Sequence, residues 1–340
     1  MAQSYVSQQS AGFQNHIKNI AIVGAGGQVG KFVVEELLKK NSFKITAITR
    51  EDSTNEPVPG VHVAKINYAD PSTIVNALKG QDALIITMNV RAPPEQHAVL
   101  TKAAAEAGVP WILPNEFGGD FTEEVGNDIF IGPPKRKERE LIESLGKSSW
   151  IGVSCSFWYE YSLAGPGLFG IHMNKREVTF FDDGLQRINT STWAQTGRGI
   201  AELLSLPILP QDENDKSTTL SSYRNRFFFV SSFTLNQREM FEAVKRATGT
   251  ADADWTINSV NSKERFEESR KKALAGDHLA FGHTMYTRCF FPGENVALFE
   301  VTHGLDNDKL GLPKEDLEEA TKYSVKLAEE QYMEKKFGKA

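Results

Sequence analysis

Between an apolar, β-branched run at residues 19–23 and a helical pattern at residues 31–40 stands Gly24-Ala25-Gly26-Gly27-Gln28-Val29-Gly30. The order strand, glycine turn, helix constrains the fold more than any other feature of this chain. Glycine is needed where the backbone turns sharply and where it must approach a pyrophosphate, and the last glycine lets helix and strand pack closely. The helix start then offers unpaired N–H groups and the positive end of its dipole to phosphate oxygens. A dinucleotide-binding βαβ unit is the expectation.

The alternation continues. Strands are predicted at 44–49, 61–66, 83–88, 111–114 and 150–154, with helices at 71–79, 94–107 and 135–145. Strands alternating with helices imply a parallel sheet covered on both faces, here a Rossmann-type doubly wound α/β core of six strands. Asp70 with Pro71, and Pro93 with Pro94, supply helix-start chemistry. After residue 156 the regularity weakens and aromatics crowd in. The reading there is a turn at Asp182-Asp183-Gly184, a helix at 196–205, a strand at 226–231, and a helix opened by Thr234 with Gln237 three residues on. Residues 211–224 read as a surface loop and 314–336 as a charged amphipathic helix with Leu317, Ala320 and Leu327 on one face. The expected organisation is a polar tail at 1–17, a nucleotide-binding core at 18–156, and a smaller α/β substrate lobe at 157–340 with segments returning to the core.

Composition narrows the chemistry. The 340 residues carry a net charge of −6 with scattered basic residues, which speaks against nucleic acid as a partner. No stretch approaches the roughly 18 to 20 apolar residues of a membrane span. Two cysteines, Cys155 and Cys289, fit a reducing compartment, and the polar first 17 residues lack the apolar region of a secretory signal, so a cytoplasmic protein is expected. No GxSxG elbow is present and no histidine pair, His278 and His283 included, has metal-ligand spacing, so hydrolase and metalloenzyme chemistry recede and no metal is expected. The YxxxK pattern Tyr332–Lys336 falls in the charged terminal helix, where solvent-facing periodicity explains it.

Two positions bear on cofactor and proton chemistry. The second strand ends in Thr49-Arg50, where an NAD site would carry an acidic side chain; an arginine fork pairs with a 2′-phosphate and favours NADP(H). Glu51 or Asp52 competes for that role if the strand ends later. Lys135 and Lys137 open the helix before the sixth strand. Being two apart they face different sides, so one at most serves as proton donor, and the run KRKERE also reads as a solvated face.

Together GAGGQVG, Thr49-Arg50, AGVPWILPNEFGGD at 107–120, and Lys135 ahead of ELIESLG resemble the isoflavone-reductase-like and NmrA-like family of atypical short-chain dehydrogenases, fungal secondary-metabolism members most of all. The resemblance spans residues 19–160, with looser likeness at the DDG segment and TGRGIAELLSLP. It implies Gly24, Gly27, Gln28, Val29 and Gly30 around the pyrophosphate, Arg50 on the 2′-phosphate, and Met88 and Asn89 along the cofactor channel. It also implies that Asn115 and Phe117 flank the nicotinamide, and that Lys135, rather than Lys137, is the catalytic lysine and touches the cofactor. The family's asparagine and small residues after the sixth strand are replaced by Cys155-Ser156-Phe157-Trp158-Tyr159-Glu160-Tyr161, and Pro133 and Pro134 fix the helix start just before Lys135.

The leading expectation is therefore an NADPH-dependent reductase of a small apolar or aromatic natural product. Its pocket would be lined by Phe117, Phe157, Trp158 and Tyr161, although the same rings serve equally as core. Cofactor-assisted cyclisation and NADP sensing without turnover use the same cleft and stay open, as does the choice between monomer and homodimer.

Overall fold

The computed structural model describes residues 4–53, 58–89, 92–332 and 335. Strand β1 (Asn19–Val23) runs through the glycine turn into α1 (Gly30–Lys39) and β2 (Lys44–Arg50). Next come β3 (His62–Ile66), α2 (Pro71–Leu78), β4 (Ala83–Ile86), α3 (Pro94–Ala107) and β5 (Trp111–Leu113). A short α4 (Glu123–Asp128), α5 (Gly132–Leu145) and β6 (Ser149–Ser154) follow. Asp70 caps α2, accepting from the Ser72 amide at 3.1 Å, and Pro93-Pro94 opens α3.

The second half begins with β7 (Phe157–Trp158), α6 (Tyr159–Ala164), β8 (Ile171–His172), β9 (Glu177–Phe181), β10 (Ile188–Ser191) and α7 (Trp193–Ser205). It continues through β11 (Arg226–Phe229), β12 (Phe233–Leu235), α8 (Gln237–Thr248) and β13 (Thr256–Val260). Helices α9 (Ser262–Leu274), α10 (His278–Cys289), α11 (Phe299–Thr302) and α12 (Leu317–Glu329) complete it.

The main sheet has the order β3-β2-β1-β4-β5-β6-β11, with every neighbouring pair parallel. Side chains alternate between its faces with the strand period of two. Ile20 and Ile22 meet Val33, Val34 and Leu37 of α1 and Ile200 and Leu204 of α7, whereas Ala21 and Val23 meet Ile74 of α2 and Leu100 and Ala104 of α3. Helices thus cover both faces, and the strand order reverses at β1, the place where a doubly wound sheet opens a crevice beyond its strand ends.

Three sequence expectations need correction. The sheet has seven strands, not six: the strand expected at 226–231 ends at Phe229 and adds to the sheet edge, with Arg226 opposite Ile151 and Phe229 opposite Ser154. The 83–88 strand stops at Ile86, since Thr87 turns its hydroxyl back to the Val23 carbonyl at 2.8 Å. The helix assigned to a Thr234 cap is instead capped by Asn236 and boxed by Glu239, which leaves Thr234 free to sit in β12.

Two small three-stranded sheets, β12-β10-β7 and β13-β9-β8, surround an aromatic core of Phe157, Phe169, Phe181, Tyr286 and Phe290. Cys155 and Cys289 are buried free thiols. The turn at residues 182–184 forms as expected, with Gly184 at φ 73°. On α12, Leu327 is buried and Leu317 and Ala320 pack against the aromatic core.

Helix α7 begins at Trp193, three residues before its expected start, because Thr192 accepts from the Gln195 amide at 2.9 Å and both Glu160 oxygens accept from the Trp193 amide at 3.2 Å. It packs on α1 at backbone distance: a Cβ on Gly197 would stand 2.6 Å from the Phe32 carbonyl. Burial, reinforced by Glu315, pushes the Glu160 carboxyl up to about 8, against the pull of its backbone hydrogen bonds. The folded protein therefore retains a proton that the unfolded chain releases near pH 4.3, and stability from this group falls as pH rises from there to about 8. Thermal melts at pH 5 and pH 8 should show a smaller loss of Tm for Glu160→Gln than for the wild type; an equal loss in both would contradict this reading.

Candidate active site

Glycine at 24 and 30 is dictated by contact. Gly24 has φ 81°, and a Cβ there would lie 2.2 Å from the Thr87 carbonyl; one on Gly30 would lie 2.1 Å from the Gly24 carbonyl. The turn is locked by the Gly27 amide donating to Gly24 at 2.8 Å and by the Thr87 hydroxyl, 3.2 Å from the same carbonyl. Val29 is buried behind it and Gln28 is half-buried. At Gly24 and Gly30 there is no room for a side chain, so backbone can approach a diphosphate closely where α1 begins.

Arg50 is the last residue of β2, one later than expected, and its side chain is 60% exposed with Nε 3.5 Å from Asp52 Oδ1. Asp52 and Glu51 lie in the turn beyond the strand. An exposed pair of this kind is weak, so the guanidinium can exchange its partner for a phosphate at little cost. Its charge also reaches Tyr68, whose phenol burial pushes up and Arg50 draws down.

The ends of β4 and β5 are tied together. Met88 and Asn89 follow β4 rather than end it, and the Met88 amide donates to Asn115 Oδ1 at 3.1 Å. The segment 116–118 then runs along the end of β6: the Val153 amide donates to Glu116 O, the Cys155 thiol to Phe117 O, and the Ser156 amide to Gly118 O, at 3.1, 3.1 and 2.8 Å. Glu116 is buried in an ion pair with Arg139, whose guanidinium lies over Trp150 and Phe227. Burial pushes the Glu116 carboxyl up against the pull of that arginine.

Lys135 stands in the first turns of α5 after Pro133 and Pro134, with its side chain 24% exposed and Nζ 3.3 and 3.1 Å from the two Glu138 oxygens. Lys137 is exposed. Glu138 Oε2 also lies 3.5 Å from Nε2 of His97, a ring 1% exposed on α3 that receives the Asn115 amide at 3.4 Å. Burial, with Lys135 second, holds this imidazole down at about 3, so it is neutral.

The aromatic residues divide. Phe117, Trp158 and Tyr161 are partly buried against the main core, with the Trp158 and Tyr161 rings perpendicular at 6.3 Å. Phe157 instead stacks on Tyr286 at 4.0 Å and meets Phe169 edge-on, inside the aromatic core of the second half. Ser156 adopts a left-handed φ of 56°, and its buried hydroxyl has no hydrogen-bond partner among the described residues. A non-glycine in that conformation stores strain of a kind found at ligand sites. Tyr332 packs its ring 6.4 Å from Trp193, not into solvent as its periodicity suggests, and Lys336 lies outside the described residues.

The sequence reading gave no role to Glu116, Arg139, Glu138 or His97, and to Ser156 only a place in the segment after β6. Only the Lys135–Glu138 spacing of three was a usable signal, as a helix ion pair. The docking of α5 on His97 is a tertiary event with no local pattern.

Among the described residues no group of three His, Cys, Asp or Glu side chains could hold a metal, and no helix is long and apolar enough to cross a membrane. Oxidoreductase aprR of Aspergillus flavus is 27% identical over 272 residues, covering 77% of this chain and 82% of that protein. Solved isoflavone reductase shares the fold with a TM-score of 0.68 at 18% identity, over 92% of this chain and 100% of that one. NADPH-dependent quinone oxidoreductase QOR2 from Escherichia coli, complexed with NADPH, gives 0.61 at 17% identity over 89% and 98%. The model of the NmrA-like family matches residues 16–169, from the approach to β1 through the segment that follows α6. The resemblance read from the motifs thus holds over this segment, where the chain is similar to the NmrA-like family.

Proposed function

We propose that this protein is an NADPH-dependent reductase of a small apolar or aromatic natural product in secondary metabolism. One observation carries the reading: an unbroken run of contacts from the glycine turn to a lysine. Gly24 and Gly30 abut Thr87, Met88 is bonded to Asn115, and Asn115 leads through His97 and Glu138 to Lys135. The oxidoreductase name of the A. flavus relative and the NADPH complex of the E. coli neighbour support it.

On this reading Gly24, Gly27 and Gly30 admit the diphosphate to the amides of the turn, with Gln28 and Val29 at the helix start, and Arg50 clasps the 2′-phosphate. Met88 and Asn89 line the channel, while Asn115 and Phe117 flank the nicotinamide. When bound, the cofactor supplies hydride to an electrophilic carbon of the substrate. Lys135 Nζ, alone or through a water, holds the substrate oxygen or nitrogen and gives it a proton. Phe117, Trp158 and Tyr161 face the planar substrate, and Phe157 braces them from the core side.

Arg50→Ala should weaken NADPH binding about ten- to a hundredfold, the loss expected of hydrogen bonds to a charged group, while NADH binding changes little; an unchanged preference by calorimetry would overturn the arginine's role. With a substrate found among enones, imines and aryl ethers by NADPH oxidation, Lys135→Ala should lower kcat roughly 10²- to 10⁴-fold at near-constant NADPH affinity. Retained turnover in Lys135→Ala with loss in Lys137→Ala would move the proton step to Lys137. Tight NADPH binding without consumption on any candidate would favour a sensor, and product formation without net NADPH loss a cyclase.

A further inference from the structure

A lysine beside a glutamate three residues on is, taken alone, an ordinary helix-surface pair worth a few tenths of a kcal/mol. Here the carboxylate has a second neighbour that a surface pair lacks. His97 is 1% exposed on a different helix, and its Nε2 lies 3.5 Å from Glu138 Oε2, the same oxygen that is 3.1 Å from Lys135 Nζ. His97 Nδ1 is 3.4 Å from the buried Thr101 hydroxyl, and Nε2 is 3.4 Å from the Asn115 amide.

A backbone N–H can only donate, so the bond to Asn115 assigns the Nε2 lone pair to that amide and the ring proton to Nδ1, facing Thr101. The histidine is then a fixed, uncharged wedge. It touches the strand end that carries Asn115 on one side and the carboxylate that holds Lys135 on the other. Glu116, from the segment after β5, also feels the charge of Lys135, and Arg139 on α5 and Asp120 act in turn on Glu116. Arg139 is already engaged by Glu116, so Glu138 is left as the carboxylate in contact with the Lys135 ammonium.

The geometry points to Glu138 as a positioning residue for Lys135, with His97, whose Nε2 has no proton to offer the carboxylate, packed beside the pair as a steric stop on the Asn115 side. This deepens the proposed function and rests on it for its catalytic meaning. A carboxylate at hydrogen-bond distance favours the charged form of the amine beside it, and it restricts the amine to one place on the helix. Lysine and nicotinamide pocket are then set by one connected group of side chains rather than by two independent ones. Burial raises the Glu138 carboxyl, with Lys135 opposing.

The test reads Lys135 directly. Competitive acylation with a small anhydride at fixed pH, followed by peptide mass spectrometry, gives the labelling rate of Lys135 in the intact chain, with exposed Lys137 as the internal control. Glu138→Gln should speed the labelling of Lys135 roughly severalfold and leave Lys137 unchanged, because the amine loses the carboxylate that holds it. In a His97→Leu background the same substitution should produce a smaller change, because the loosened carboxylate has less influence to lose. An unchanged Lys135 rate in Glu138→Gln overturns the proposal, and equal changes in both backgrounds remove His97 from it. Where turnover is found, Glu138→Gln should lower kcat with little change in KM, and Glu138→Asp should restore part of it. A labelling change without turnover on any substrate keeps the positioning role and sinks the reductase reading; lysine-dependent turnover without a labelling change does the reverse.

Discussion

The approach of Gly24 and Gly30 to Thr87 is the constraint on which the rest of the structure depends. It joins the end of β1 to the end of β4 at a separation that admits no side chain on the turn. Everything that follows β4 is placed from there. Met88 leaves the sheet where its amide can reach Asn115, and Asn115 fixes the start of the segment that runs along β6. A larger residue at either glycine would push the two strand ends apart and misalign the crevice before any ligand is considered.

Partly buried charge stands on the other side of that crevice. Glu116 with Arg139, and Lys135 with Glu138, put two ion pairs from α5 against the strand ends. Pairs of this kind add little net stability against an apolar replacement, yet breaking one leaves an uncompensated buried charge. Their effect here is on orientation. Arg139 pairs with Glu116 and lies over Trp150 and Phe227, while on the same helix Lys135 is partly buried and Lys137 exposed. The edge strand β11 supplies Phe227, so a segment far along the chain helps to aim a side chain near residue 135.

Much of this was legible in residue order, for identifiable reasons. Strand and helix periods marked every strand of the main sheet up to β6 and the longer helices between them, though not the short α4, since buried parallel strands and amphipathic helices write their packing into local pattern. The glycine turn was legible because its close backbone contacts restrict residue type. The seventh strand was placed as a segment but not in the sheet, because RFFF at 226–229 has no local mark for which edge it joins. Glu138 and His97 looked like a solvated charge and a helix residue. Their meaning arises only when α3 and α5 meet, at a contact that no spacing rule describes. Phe157 and Trp158 are neighbours with the same aromatic character, and only the fold separates the ring stacked in the core from the one set against the main sheet.

The central claim is that a dinucleotide lies on the glycine turn and reaches the β4 and β5 ends. Amide hydrogen exchange with and without saturating NADPH tests it most directly. Residues 24–31, 87–89 and 115–118 should exchange more slowly with the cofactor present, while β13 at 256–260 should not change. Unaltered exchange at 24–31, or protection confined to another face of the molecule, would contradict the account.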